Sequence, residues 1–251
     1  MDEELVERAR QDTVLATLDA RGSCRDYTGE PLPEPVVEQL VAGAQRAATD
    51  ASGQMYSFIR IRDSDLRDRL ATWCGEQAHV REASEFFVVC MDVHRLDRLL
   101  AHRDATYGMG PAVALLFGIS DAALAAQSMA LAAEHMGLGI CYVGGLQRNV
   151  LEVAEVLDLP RGVLPLWGLC VGVRAKPPKR RPRIPTSLIL HEDGYQEPDP
   201  SALDQAYEAM APATRSGDWL NVISRYFAEE GTMADREPSF RALLERQGLS
   251  W

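Results

Sequence analysis

The chain has 251 residues and a mass of 27.7 kDa, enough for one large domain or two small ones that bury roughly 70 to 75% of unfolded surface without a disulfide or metal staple. Acidic residues outnumber basic ones 37 to 26, and the formal charge of -11 has the wrong sign for a surface that neutralises nucleic-acid phosphates. Hydrophobic residues at 46% and charged residues at 25% match an ordinary soluble globule and exclude a disordered or fibrous chain.

In chain order, residues 2–20 carry Leu5, Val6, Val14, Leu15 and Leu18 near helical spacing and stop at Arg21-Gly22, predicting a first helix. After the turn-rich Tyr27-Thr-Gly-Glu-Pro-Leu-Pro33, residues Val36, Val37, Leu40, Val41, Ala44 and Ala48 recur at three and four, a helix with Pro35 in its first turn. Residues 56–63 alternate Phe58, Arg60 and Arg62 against Ile59 and Ile61, a strand with a wetted face, and a short helix follows over 64–73. The apolar run 85–92, bounded by Glu85 and Asp92, predicts a central strand covered on both faces.

Residues 121–136 form a core helix, with Gly137 placed for a left-handed cap. The apolar stretch from Pro111 to Met136 is interrupted by Asp121, Gln127, Ser128 and Glu134, so it reads as a buried helix and not as a membrane span of about 20 apolar residues. Residues 140–143 and 163–173 supply two more strands, separated by an amphipathic helix over 146–157. A Pro-rich basic segment, 174–185, precedes the strand-like Ser187-Leu-Ile-Leu190. Beyond Tyr195 an extended linker leads into a mostly helical tail whose Trp219, Tyr226, Phe227 and Leu243 must pack on the body or on a second subunit. The expected division is therefore a body over 1–195 and a helical arm over 196–251.

Cys24, Cys74, Cys90, Cys141 and Cys170 are odd in number and widely spaced, which excludes a disulfide or zinc framework. The acidic start Met1-Asp-Glu-Glu lacks the basic flank of a secretory signal, so the cytoplasm is the expected compartment. Gly168-Leu-Cys-Val-Gly172 matches a nucleophile elbow with cysteine in the serine position, but Arg174-Ala-Lys-Pro-Pro blocks the helix an elbow requires. A cysteine hydrolase using Cys170 is thus a rival reading only. Gly108-Met-Gly110 and Gly137-Leu-Gly139 lack the third glycine of a dinucleotide fingerprint, and His79, His94, His102, His135 and His191 contain no pair at metal-binding helical spacing.

Six of the 26 basic side chains, including both lysines, fall between Arg174 and Arg183. Such crowding is either a solvated loop screened by salt or a site for phosphate, whose oxygens arginine forks match in pairs. A second basic and hydroxyl cluster, Arg21-Gly-Ser-Cys-Arg25, lies where the first helix ends.

Together with Asp26-Tyr-Thr-Gly-Glu-Pro31, Cys74-Gly-Glu-Gln-Ala-His79, the helix around 121–139, Tyr142-Val-Gly-Gly-Leu146 and Arg181-Pro-Arg-Ile-Pro185, that cluster resembles the nitroreductase family of flavoenzymes. The similarity is greatest to its NADPH-dependent flavin reductase and oxygen-insensitive nitroreductase branch. The resemblance implies an α+β three-layer sandwich, a mainly antiparallel sheet flanked by helices, in an interlocked homodimer with FMN at the interface. It implies hydride transfer from NADPH to FMN and on to small planar acceptors (nitroaromatics, quinones or free flavins) in ping-pong order. A flavin-binding module without turnover is the other alternative.

By matching motif, Arg21, Gly22, Ser23, Cys24 and Arg25 form the first FMN segment, with Arg21 and Ser23 toward the phosphate and Arg25 toward the pyrimidine end of the ring. Thr49 takes the hydroxyl position supplied across the dimer, and Gln77 that of the amide on the pyrimidine. Tyr142, Val143, Gly144 and Gly145 present backbone to the ring, and Arg181 and Arg183 match the phosphate-binding basic pair. No acid or base side chain is assigned to catalysis. Three departures bear on substrate choice. Gly22 replaces a residue commonly basic, and the loop 47–53 lacks the run of serines and the aromatic. Gln147, with Arg148 one place on, stands where relatives carry a basic residue that touches substrate or NADPH. Arg215 is the candidate for the 2'-phosphate of NADPH, ahead of Arg225 and Arg236.

Overall fold

A computed structural model describes residues 13–250, so the first part, 2–12, of the helix expected over 2–20 lies outside the described residues. The elements are α1 (Thr13–Ala20), α2 (Glu34–Ala44), β1 (Tyr56–Arg60), α3 (Ser64–Trp73), α4 (Ala78–Glu82), β2 (Glu85–Asp92), α5 (His94–Ala101), α6 (Pro111–His135), β3 (Gly139–Val143), α7 (Val150–Val156), β4 (Val163–Gly172), α8 (Pro200–Met210), α9 (Trp219–Phe227) and α10 (Glu237–Gln247). The described residues contain one four-stranded sheet, in the order β1-β2-β4-β3, with every neighbouring pair antiparallel.

β2 is buried along its whole length, as its unbroken apolar run requires. Its terminal acids remain inside because each meets a cation. Arg60 grips Glu85 through two bonds of 2.7 Å, and Arg95 lies 3.3 Å from Asp92, which also accepts from Ser57. In β4, Pro165 cannot donate to a ladder, and the register slips beside it. Val89 faces Trp167 whereas Cys90 faces Pro165, so Leu166 is the extra residue of a bulge.

α6 packs on the sheet through Ala114, Gly118, Ala122, Ala125, Ala126, Met129, Ala130 and Ala133, a stripe of mostly small residues that lets the helix approach closely. Among the described residues it alone is long and apolar enough to cross a membrane; here its inner face covers β strands. It ends as expected: Gly137 has φ +82°, and Leu138 N–H donates to Ala133 O. Asp121, 1% exposed, turns inward from this helix and accepts from Asp50 N–H (2.8 Å) and Met55 N–H (2.9 Å). One carboxylate thus clasps both ends of a loop in which Ala51, Ser52 and Gln54 have positive φ. Asp121→Ala is expected to cost about 2–4 kcal/mol of stability, because it strands two backbone donors and opens a gap; thermal melts should place Asp121→Asn between the two.

Several local expectations need correction. α2 ends at Ala44 and not at Ala48, because Arg46 and Ala47 N–H turn back on Gly43 and Ala44. The expected helix over 146–157 is a 3-10 turn, Gly144–Asn149, followed by the short α7; Asn149 is tied to Trp73 O at 2.8 Å. The strand-like Ser187–Leu190 is a 3-10 turn, Thr186–Leu188, since the N–H groups of Leu188, Ile189 and Leu190 are spent on Pro185 and Thr186 carbonyls.

The chain separates into two compact units, residues 13–179 with 238–250, and residues 180–237. The tail is shared between the two units. In the first, Leu243 of α10 is fully buried, and Gln247 O accepts from Gly162 N–H at 3.0 Å. In the second, Asp199 and Asp218 cap α8 and α9 by accepting from Ala202 and Asn221 N–H, and Tyr207 meets Trp219 edge to face at 5.7 Å. Phe227 remains 72% exposed.

Candidate active site

The segment after α1 runs beside β3. Ser23 bridges Ile140 in parallel, and Cys24 N–H donates to Ile140 O at 2.7 Å. Extended backbone alternates its side chains. Cys24 therefore turns inward, 3% exposed, while Ser23 and Arg25 share the exposed side. Tyr27 locks the turn by donating to Cys24 O at 3.1 Å. Gly22 is buried against the chain at 178–179, and a Cβ there would sit 2.7 Å from Lys179 O, which gives a steric reason for the missing basic side chain.

A second group gathers at the end of β3. Gln77 begins α4 and donates its amide to Cys74 O at 2.7 Å. Gly145 packs so closely there that a Cβ would lie 2.3 Å from Cys74 O and 2.6 Å from Gln77 Nε2. Gly144 is the opposite case, exposed, with no heavy atom within 4 Å of the Cβ position. Val143 is buried. The Tyr142 ring stands edge to face on Trp167 at 6.3 Å, with its hydroxyl 3.5 Å from Gln127; burial pushes it up to about 12.

Arg25 joins the two groups electrically. Its charge acts on both His79 and Cys141, whose Nε2 and Sγ lie 3.8 Å apart. Burial first, and Arg25 second, hold the His79 imidazole below its ordinary pKa, so it is neutral near pH 7. The structure thus brings Ser23, Cys24, Arg25, Gln77 and Tyr142 to Gly145 together around one strand, with Arg21 and Gly22 leading into them.

The remaining expected residues are in another loop, in the second unit, or engaged. Thr49 lies in the loop that leads into β1, the edge strand opposite β3 in the sheet. Arg181, Arg183 and Arg215 belong to the second unit, where Arg181 donates to Ala213 O at 2.6 Å and Arg183 to Pro182 O at 3.0 Å. Gln147 donates its amide to Leu166 O, the carbonyl of the bulge residue, at 2.9 Å, while exposed Arg148 lies over Gly75, 3.0 Å from a Cβ position there. An 880 Å³ cavity along β1, lined by Val41, Tyr56, Phe58, Arg60 and Leu99, contains none of the expected residues.

The elbow reading of Cys170 is overturned. Cys170 sits inside β4, completely buried, and burial drives its thiol well above the ordinary range, leaving neither a turn nor a thiolate. Two residues outside the expected set lie beside it: His79, at 3.8 Å from Cys141 Sγ, and Glu134, which accepts from Arg21 Nε at 3.1 Å. His79 ends the Cys74-Gly-Glu-Gln-Ala-His79 motif, and Glu134 reads in the sequence only as a polar interruption of an apolar helix.

The Nitroreductase family model matches residues 18–173, and the chain belongs to that family. It is 37% identical over 233 residues to the oxygen-insensitive NADPH nitroreductase of Salmonella typhimurium, covering 90% of this chain and 93% of the relative. It is 38% identical over 186 residues to the FMN reductase (NADPH) of Bacillus subtilis, covering 73% and 74%. Among solved structures, the NADPH:FMN oxidoreductase of Vibrio harveyi complexed with NAD+ superposes with a TM-score of 0.84 at 28% identity, covering 94% of this chain and 98% of that one.

Proposed function

We infer that the chain is an NAD(P)H-dependent flavin oxidoreductase that holds FMN and takes its hydride from NADPH. The observation that carries this reading is the convergence of Arg25, Gln77 and the Gly144-Gly145 pair at the end of β3. The donor set fits the cofactor: guanidinium and hydroxyl groups suit a phosphate, and an amide suits the pyrimidine edge. The open space at Gly144 suits a flat ring. Bound FMN supplies the chemistry, accepting a hydride from the nicotinamide and passing reducing equivalents to an acceptor.

In this reading Arg21 and Ser23 hold the phosphate, and Arg181 and Arg183 keep the phosphate role that the family motif gives them. Gln77 orients the pyrimidine. Arg25 supplies a fixed positive charge where negative charge develops on the ring, without reorganisation at the moment of transfer. Thr49, remote from β3 within its own subunit, serves the partner's cofactor, and Arg215 contacts the 2'-phosphate of NADPH. Gln147 borders the acceptor through its backbone and aliphatic stem, its amide being engaged. One open face serves donor and acceptor in turn, which imposes ping-pong order, and a shallow planar cleft accepts nitroaromatics, quinones and free flavins alike.

The working form is a homodimer. Apolar residues left exposed on two helices that touch, Val14, Leu15 and Leu18 of α1 with Leu116 and Leu124 of α6, support it. The setting is the cytoplasm. Purified protein is expected to be yellow, to bleach within the mixing experiment on addition of NADPH, and to recover colour with a quinone. Colour that persists in NADPH favours a flavin-binding module without turnover, and a colourless protein that cannot take up FMN overturns the assignment.

A further inference from the structure

Glu134 lies on the last turn of α6, and its side chain is 7% exposed. Its Oε2 accepts from Arg21 Nε at 3.1 Å, and the N–H of Gly22 also favours its charged form. Its Oε1 is buried without a hydrogen-bond partner. Burial raises this carboxyl above the ordinary range, against the pull of Arg21, Gly22 N–H and Arg174. A carboxylate held in so dry a position is costly, so its placement calls for a return elsewhere.

The geometry shows one. Arginine has a single Nε–H along its stem and two terminal NH2 groups that form the fork used on phosphates. Glu134 takes the Nε, and neither Nη of Arg21 has a hydrogen-bond partner among the described residues. The guanidinium is therefore fixed at its stem with its fork free. It lines a 370 Å³ cavity together with Thr17, Gly22, Glu134, His135 and Arg174. On the same cavity wall the Thr17 hydroxyl stands 3.5 Å from His135 Nδ1.

We propose that Glu134 is a positioning residue, which clamps Arg21 by its Nε and aims the two free Nη groups at the phosphate of the bound flavin nucleotide. This rests on the reading above that Arg21 serves that phosphate. Glu134 makes no contact with the cofactor itself, and its effect passes wholly through Arg21 and the backbone at Gly22. The role implies discrimination between a phosphorylated flavin and one without phosphate, because only the former uses the fork.

The test is fluorescence titration of the full-length, flavin-stripped protein with FMN and with riboflavin. Glu134→Ala is expected to raise the FMN dissociation constant on the order of tenfold, about one charge-assisted hydrogen bond, and to change riboflavin binding by less than about twofold. Glu134→Gln, which keeps an oxygen for Arg21 Nε and folds with the native volume, restores most of the FMN affinity. Adding Glu134→Ala to Arg21→Ala causes no further loss. Equal weakening of FMN and riboflavin, no weakening of either, or additive losses in the double variant each overturn the proposal. Native protein that binds both flavins equally overturns instead the phosphate role of Arg21, and native protein that binds neither overturns the flavin reading.

Discussion

Arg25→Ala is expected to slow bleaching of the bound flavin by NADPH on the order of a hundredfold and to make its midpoint potential more negative, while the protein stays folded. The size follows from removing a preorganised charge from the place where negative charge develops during transfer. Arg25 suits this task because it is exposed on an extended segment whose backbone is tied to β3, and no carboxylate pairs with it among the described residues. Its field is felt across the site: it adds to the burial that lowers His79 and partly opposes the burial that raises Cys141. Arg25→Lys should recover part of the rate, since the charge is kept and the planar fork lost. Stopped-flow absorbance with NADPH and dye-coupled potentiometry measure both quantities; an unchanged potential with an unchanged rate removes Arg25 from the site.

Adjacent glycines should respond in opposite ways. A methyl at Gly145 meets Cys74 O at 2.3 Å and Gln77 Nε2 at 2.6 Å, and the first of these is backbone that cannot step aside. Gly145→Ala should cost about 1–3 kcal/mol of stability and dislodge the Gln77 amide. At Gly144 a methyl meets nothing within 4 Å, so Gly144→Ala should leave the melting of flavin-free protein within about 0.5 kcal/mol of native. It should nevertheless weaken FMN, because the space it fills is the space proposed for the ring. Paired melts and flavin titrations separate the two effects, and a Gly144→Ala protein with native FMN affinity moves the ring elsewhere.

The elements most legible in the sequence were those whose pattern depends on burial alone. The run from Glu85 to Asp92 became a strand with those same bounds, and the helix Ser64–Trp73 also matched, because its Asp63 cap is local. α4 and α5 escaped notice: the former has five residues, and the charged HRLDRLLA sequence of α5 has no residue fully buried. Ser187–Leu190 carries β-branched and leucine side chains suited to a strand, but a strand also needs a neighbour for its N–H groups, and here they close local turns. In the site, the motifs contain the residues that gather at β3, whereas the engagement of Gln147 depended on a bulge that frees the Leu166 carbonyl and has no local sequence signal other than Pro165. Glu134 could not be recognised because its meaning lies in which nitrogen of Arg21 it takes.

The loop clasped by Asp121 separates anchoring from display. Its two ends are fixed to the central helix by a single side chain, so the residues between them form a cassette that can be exchanged without retuning the core. Because Thr49 abuts the first clasped residue, it inherits the rigidity of α6, while Ala51, Ser52 and Gln54 are released from any duty to the interior.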